Sequence, residues 1–320
     1  MIDSFGREIN YLRISVTDLC NLRCKYCMPE TGIDKKCHSE MLRNEEIIKI
    51  VKVMSELGIT KIRITGGEPL VKKGILEMIS EINKIPKIEE IVLTTNGILL
   101  ADMAQKLKNA GVKRVNISLD TMDKIKFEEI TRKDQLVKVL EGIDKAIEVG
   151  LTPVKINTVL IGGFNDNEVA DFIKLTKERD IDVRFIELMP IGEASLWNKE
   201  KFLSTDSILE NEKSLVPVVG KDKSSPAKYY KLPDSKGTVG LINPISCSFC
   251  KNCNRIRLTS DGKLKLCLHS DVEIDVINVL RDGDDIKEVI KEAITNKPQE
   301  HRLGDEDFKP VTRNMNRIGG

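Results

Sequence analysis

The sequence predicts an α/β chain folded as an incomplete, TIM-like (β/α)6 barrel with a smaller C-terminal module. From residue 11 to about 188, short β-branched runs alternate with amphipathic stretches of helical period. Inside those runs, polar residues recur at spacing two. Beyond residue 214 the pattern changes to hairpin chemistry.

The runs are YLRISVT (11 to 17), KIRIT (61 to 65), EEIVLTT (89 to 95), KRVNISL (113 to 119), TPVKINTVL (152 to 160) and DVRFIEL (182 to 188). Between the first two the spacing predicts a helix: Asn44 as N-cap, Glu45 and Glu46 in the first turn, apolar Ile47, Ile48, Val51, Met54 and Leu57, and Gly58 as the stop. Further helical patterns occupy about 73 to 84, 99 to 110, 135 to 149 and 167 to 179. Strand-then-helix units in series call for a parallel sheet with right-handed crossovers. The polar residues choose its shape: Arg13, Ser15, Thr17; Lys61, Arg63, Thr65; Asn116, Ser118, Asp120; Lys155, Asn157. A sheet covered on both faces by helices cannot tolerate a polar face in strand after strand, whereas a wide wet lumen needs one. Residues 1–214 are therefore expected to form the barrel and 215–320 the second module. In that module KYYKL, TVGLI and RIRLTSDGKLKLCL read as strands, with Asp261-Gly262 as a two-residue turn, then a helix near 283 to 296 and a polar tail. Asn96-Gly97 reads as a structural turn.

The 51 basic and 50 acidic residues among 320 leave a net charge of +1, so no overall field draws the chain to nucleic acid or an anionic membrane. The opening MIDSFGREIN lacks a basic region followed by an apolar one, and no apolar run is long enough to span a bilayer, so a cytoplasmic location is expected. Most of the eight cysteines fall in two clusters. In a reducing compartment that points to metal ligation.

Cys20, Cys24 and Cys27 are spaced C-x3-C-x2-C directly after the first strand, at the barrel mouth. Three thiolates on one loop can hold three irons of a [4Fe–4S] cube and leave the fourth open to S-adenosylmethionine (SAM). A zinc site completed by Cys37 or His38 is the alternative on spacing alone. Cys250, Cys253 and Cys267 form a second set, a tight pair before the hairpin and a third thiol on its return strand. A zinc ribbon using Cys247 or His269 is again the alternative. Arg255 and Arg257 share one strand face beside this set, and with Arg13, Lys61, Arg63, Lys155 and Arg184 they point many cations into one cavity. A polyanion such as a nucleoside triphosphate fits it.

The first cysteine motif, with Tyr26 before its last cysteine, resembles the radical SAM superfamily, as does the loop Thr65-Gly66-Gly67-Glu68-Pro69. The second set, NCNRIRLTSDGKLKLCL and the terminal Gly319-Gly320 resemble the GTP 3′,8-cyclases of that superfamily. The resemblance implies a radical SAM barrel with a second [4Fe–4S] cluster in the C-terminal module, held by Cys250, Cys253 and Cys267. It implies SAM contacts for Tyr26, Gly67, Ser118 and Met189, and GTP contacts for Arg13, Arg63, Thr94, Lys155, Arg255, Ile256 and Arg257. Gly319 and Gly320 are expected to reach into the barrel, where side chains would not fit.

The implied reaction uses a 5′-deoxyadenosyl radical to take hydrogen from ribose C3′ of GTP. The carbon radical closes on C8, giving (8S)-3′,8-cyclo-7,8-dihydroguanosine 5′-triphosphate, the first step of molybdenum cofactor (molybdopterin) biosynthesis. Implied partners are an electron donor and the downstream cyclic pyranopterin monophosphate synthase, and a homodimer is admitted. A peptide-modifying radical SAM enzyme and a non-catalytic iron–sulfur redox sensor are the rival classes, but neither needs a cationic lumen. Leu19, where the family commonly has a basic residue, and the extra thiols Cys37 and Cys247 depart from the pattern.

Three thiolates would leave one iron of the second cluster open to a guanine nitrogen, whereas a fourth from Cys247 would close it. Cys247→Ser is expected to keep about eight irons per chain and most activity. Cys250→Ser, Cys253→Ser or Cys267→Ser should lose cyclisation. Iron analysis with an anaerobic assay checks this, and loss of the second cluster in Cys247→Ser would refute the open-iron arrangement.

Overall fold

The computed structural model describes residues 1–34, 36–220, 224–246, 249–301, 303 and 311–319. Each expected barrel run forms a strand within two residues of its predicted bounds: β1 (Tyr11–Ser15), β2 (Lys61–Thr65), β3 (Glu90–Thr95), β4 (Val112–Ser118), β5 (Val154–Leu160) and β6 (Ile181–Glu187). They pair parallel in chain order. Their apolar residues, such as Leu12, Ile14, Ile62, Ile64, Ile117 and Ile156, are fully buried in one core with the helices outside.

Those helices are α1 (Asn44–Glu56), α2 (Ile75–Asn83), α3 (Leu100–Ala110), α4 (Lys124–Thr131), α5 (Leu136–Glu148) and α6 (Val169–Glu178). Helix α1 buries Ile47, Ile50, Val51 and Met54, and Gly58 ends it at φ +99°. Its cap differs from expectation. Arg43 is the N-cap, its N–H donating to the Glu46 carboxylate at 2.8 Å, while Asn44 is the first helical residue and donates from Nδ2 to the Lys73 and Gly74 carbonyls. Helix α4 has no sequence forecast because only Phe127, Ile130 and Thr131 are buried, too few for a periodic signal. The Asp123 side chain starts it, accepting from the N–H groups of Ile125 and Lys126.

The C-terminal residues build onto the barrel sheet at both ends. After α7 (Asp206–Asn211) come β7 (Val216–Val218), β8 (Ala227–Lys231) and β9 (Val239–Ile242), and β9 lies parallel to β6. The next strand, β10 (Arg255–Leu258), lies parallel to β1, followed by β11 (Lys263–Lys265) and β12 (Ile274–Asp275). The twelve-stranded order is β12-β11-β10-β1-β2-β3-β4-β5-β6-β9-β8-β7, with β10 to β9 all parallel and both edges antiparallel. The parallel wall thus gains one strand at each end beyond the six expected.

The Asp261-Gly262 turn is longer than predicted. Thr259 N–H donates to the Lys263 carbonyl and Gly262 N–H to Thr259, and Gly262, rather than both residues of the pair, takes positive φ (+70°). A Cβ there would stand 2.3 Å from that of Ile277. Helices α8 (Val276–Asp282) and α9 (Ile286–Thr295) cover the hairpin, and the tail ends in α10 (Met315–Ile318). No helix among the described residues is long and apolar enough to cross a membrane.

Candidate active site

A cavity of about 750 Å³ occupies the sheet's concave side. Strand register organises its floor. Arg13 on β1 lies directly between Arg257 on β10 and Arg63 on β2, and Tyr11 lies between Arg255 and Lys61 one step earlier. Three arginines therefore stand abreast about 4.8 Å apart by strand spacing. All three are mostly buried and line the cavity. Burial first, then repulsion from Arg257 and Arg63, pushes the Arg13 pKa well down. Burial and Arg255 bring that of Arg257 to about 10. Arg63 donates from Nε to the Tyr11 hydroxyl and from Nη1 to Thr94 Oγ1 at 3.5 Å. Like charges set this close attract an anion.

The lysines behave differently. Lys61 pairs with Glu90 at 2.6 Å and Lys155 with Asp182 at 2.7 Å. Each partner sits directly opposite on the neighbouring strand. Arg114 also reaches Glu90, at 2.8 Å. The sequence reading passed over these carboxylates although they share the spacing-two pattern. Tyr11, Arg114 and Tyr229, which accepts from Arg184 at 2.9 Å, also line the cavity and were likewise missed. The Ile256 side chain is fully buried in the core, which leaves its main chain for a ligand contact.

At the other end of β1 the first cysteine loop is pinned by close backbone packing. Gly67 N–H donates to the Thr17 carbonyl at 2.7 Å and Glu68 N–H to that of Leu19 at 2.8 Å. A Cβ on Gly66 would stand 2.7 Å from the Thr17 oxygen, and one on Gly67 2.4 Å from the Leu19 oxygen and 2.6 Å from that of Asp18. The glycines are there because backbone comes this near. Glu68, buried, accepts from Leu70 N–H (3.0 Å), Thr95 Oγ1 (2.7 Å) and Asn96 N–H (2.7 Å), tying the loop to the end of β3. Burial raises its pKa to about 7 against these bonds. Gly97 takes φ +84°, as a turn requires.

Burial raises the thiols of this loop, Cys20 to about 11 and Cys27 to about 12, the latter also through Cys20. Cys24 rises too, through burial and then Cys27. Cys20 Sγ accepts from Leu22 N–H at 3.3 Å and from Asn96 Nδ2 at 3.8 Å. Tyr26 donates to Asp120 at 2.7 Å, and Asp120 also accepts from Val159 N–H at 2.9 Å. Tyr26, Ser118, Thr94, Lys155 and Met189 all line the cavity.

The second thiol set, Cys250, Cys253 and Cys267, borders the same cavity beside His269 and His301. Here burial is outweighed at Cys253, whose pKa falls under the influence of Arg255 and Lys297. Arg255 donates to its sulfur at 3.7 Å. Cys247 and Gly320 lie outside the described residues. Among the described residues, no three His, Cys, Asp or Glu side chains converge on a single-ion site. A four-iron cube asks for something else, since each thiolate binds its own iron and the sulfurs spread around the corners. Two sets of three thiols, with an N–H donor on Cys20 in one and on Cys253 in the other, fit that group.

The tail completes the site. Arg313 bridges Asp261 (3.0 Å) and Glu273 (2.6 Å), and Arg257 donates to the Gly319 carbonyl at 2.6 Å. Gly319, at φ +79°, would press a Cβ to 2.4 Å from Thr65 Oγ1, so it lies inside the barrel between β1 and β2.

A parallel barrel wall with a three-thiol loop after its first strand defines the radical SAM class. The model of the radical SAM superfamily matches residues 14–176, and that of molybdenum cofactor synthesis C matches 181–303. The GTP 3′,8-cyclase of Peptoclostridium acidaminophilum is 58% identical over 321 residues, covering 100% of this chain and 98% of that protein. That of Alkaliphilus oremlandii is also 58% identical, covering 100% of both. Streptococcus suis SuiB bound to S-adenosylmethionine shares the fold, with a TM-score of 0.66 at 13% identity over 90% of this chain and 67% of that one. The chain belongs to the GTP 3′,8-cyclase family of the radical SAM superfamily.

Glu68→Ala leaves three buried donors without their acceptor. It should destabilise the protein by on the order of 3 kcal/mol and reduce iron loading of the first thiol set, read by denaturant unfolding and iron analysis.

Proposed function

We propose that this chain is a GTP 3′,8-cyclase. It converts GTP to (8S)-3′,8-cyclo-7,8-dihydroguanosine 5′-triphosphate in the first step of molybdenum cofactor biosynthesis, in the cytoplasm. With a [4Fe–4S] cluster on Cys20, Cys24 and Cys27 and SAM bound, the site is supplied with a 5′-deoxyadenosyl radical that takes the C3′ hydrogen. The protein's part is to hold GTP so that C3′ faces that radical and C8 faces C3′.

The observation that carries this reading is the row Arg257, Arg13, Arg63, set between the two thiol sets. A triphosphate brings anionic oxygens that this row of donors can bind. Its charge also competes with Asp182 for Lys155 and with Glu90 for Lys61, so both lysines turn toward it. Arg63 and Thr94, already hydrogen-bonded to each other, act as one donor surface. Arg255 stands over the Phe249 ring at 4.8 Å beside Cys253, where Cys250, Cys253 and Cys267 would hold a second cluster with an iron open to the guanine. Tyr26, Gly67, Ser118 and Met189 bind SAM, Tyr26 being fixed by Asp120. Gly319 and Gly320 form a catalytic tail, with Gly319 seated against Thr65 and Arg257 where any side chain would collide. An electron donor, transfer of the product to cyclic pyranopterin monophosphate synthase, and a homodimer complete the proposal.

Anaerobic incubation of the reconstituted protein with SAM, dithionite and GTP is expected to yield 5′-deoxyadenosine only when GTP is present, together with the cyclic product. GTP-independent deoxyadenosine, or none, would overturn the reading. Arg255→Ala and Arg257→Ala should each weaken GTP binding about tenfold or more with native iron content, since each loses a charge-assisted contact. Unchanged affinity in both would take these arginines out of the site.

A further inference from the structure

Asn316, in α10, is only 2% exposed. Its Nδ2 donates to the Asp18 carbonyl at 3.0 Å. Because that partner is a carbonyl, the nitrogen must face it, and the orientation of the amide follows. Its Oδ1 is sealed from solvent and has no hydrogen-bond partner among the described residues. A buried amide oxygen without a donor is costly and uncommon, so the position is shaped for a donor that a ligand brings.

The surroundings identify the ligand. The same Asp18 carbonyl lies 2.6 Å from where a Cβ on Gly67 would stand, so Asn316, the cysteine loop and the Gly66-Gly67 loop meet at one point. Met315, its chain neighbour, lines the cavity with Tyr26 and Met189. Triphosphate oxygens are acceptors and cannot satisfy another acceptor. The guanine is assigned to the second thiol set, away from this point. The resemblance places SAM against Gly67, and an open iron on the Cys20, Cys24 and Cys27 loop would draw its amino-acid end there, whose amino group carries N–H donors.

We infer that Asn316 is a SAM-contacting residue whose Oδ1 accepts a hydrogen bond from the SAM amino group, so that docking of the C-terminal tail completes the SAM site. The inference rests on the reading of the preceding subsection. Tail docking and SAM binding are then coupled in free energy, each favouring the other.

The test uses the full-length, anaerobically reconstituted protein, with SAM affinity read from the change SAM makes in the magnetic resonance spectrum of the reduced protein. Asn316→Leu keeps the volume and removes the acceptor. It should bind SAM about tenfold more weakly while iron content and GTP affinity stay native. Asn316→Asp also loses the donor to the Asp18 carbonyl but keeps an acceptor, so it should bind SAM several-fold more tightly than Asn316→Leu. In the unaltered protein, saturating SAM should slow amide exchange in residues 311–319. Native SAM affinity in Asn316→Leu, an Asn316→Asp protein that binds SAM no more tightly than Asn316→Leu at native iron content, or a tail whose exchange ignores SAM would each overturn the inference. A wild-type spectrum that SAM leaves unchanged would overturn the functional reading as well, so the two failures are distinguishable.

Discussion

Three guanidinium groups held side by side on adjacent parallel strands, in a protein interior, set the terms for the rest of this molecule. Burial lowers the pKa of all three, and nearby cations lower them further: Arg257 and Arg63 act on Arg13, Arg255 on Arg257, and Arg184 and Arg114 on Arg63. A flat sheet packed between helices would have no room for them. Curving the sheet around a cavity gives them a wet face, while the alternate residues Leu12, Ile14, Ile62 and Ile64 keep the outer face apolar for the helices. The two carboxylates at the margin, Glu90 and Asp182, hold the lysines and Arg114 without reaching the central row. Positive charge is thereby concentrated in a line instead of being spread over the lumen.

Cys253 stands apart from the other thiols, since burial raises even Cys267 of its own set. Burial raises Cys20, Cys24 and Cys27, each further raised by a neighbouring negative group. At Cys253 the protein supplies charge through Arg255 and Lys297 before any metal arrives. Lys297 is held near-fully buried, donating to the Leu266 carbonyl, and Arg7 braces the same region by donating to the carbonyls of Cys250, Pro298 and Gln299. The extreme N-terminus therefore supports a site built from the last third of the chain.

Period and spacing made the barrel legible. Alternation in β1 to β6 told which residues face the lumen, and it placed Arg13, Arg63, Lys155 and Asn157 in the cavity where the structure has them. It did not tell which strands are neighbours beyond chain order. The pairing of β10 with β1 is a contact between residues some 240 apart, so the alignment of Arg257 with Arg13 was invisible, and with it the row itself. The same blindness hid Lys61 opposite Glu90 and Lys155 opposite Asp182, because charge balance was counted along the chain, not across the sheet. Local errors had local causes. Asn44 looks like a cap but spends its side chain on Lys73 and Gly74, and Asp261 looks like half of a tight turn but is drawn to Arg313 and Lys36. Glu68 and Asn316 carry no periodic signal at all, since their partners are main-chain groups and a neighbouring threonine supplied by distant segments.

The C-terminal residues resolve a problem that the barrel alone leaves open. Loops after the first strands carry the first thiol set, and strands beyond residue 238 carry the second, so nothing within the six barrel units fixes the relation between them. The sheet does part of this by taking β10 against β1, which sets the Arg255 to Arg257 face at a defined register from Tyr11 and Arg13. The tail does the remainder. Arg313 fastens it to the hairpin through Asp261 and Glu273, Asn316 reaches the Asp18 carbonyl beside the first cysteine loop, and Gly319 returns to Arg257. A segment of seven residues from Arg313 to Gly319 thus touches the hairpin, the first loop and the arginine row in succession. Each contact is short and polar. Such a thread can hold three surfaces in register only if the cavity beneath it has room for the chain, and the absence of a side chain at Gly319 provides that room against Ser15 and Thr65.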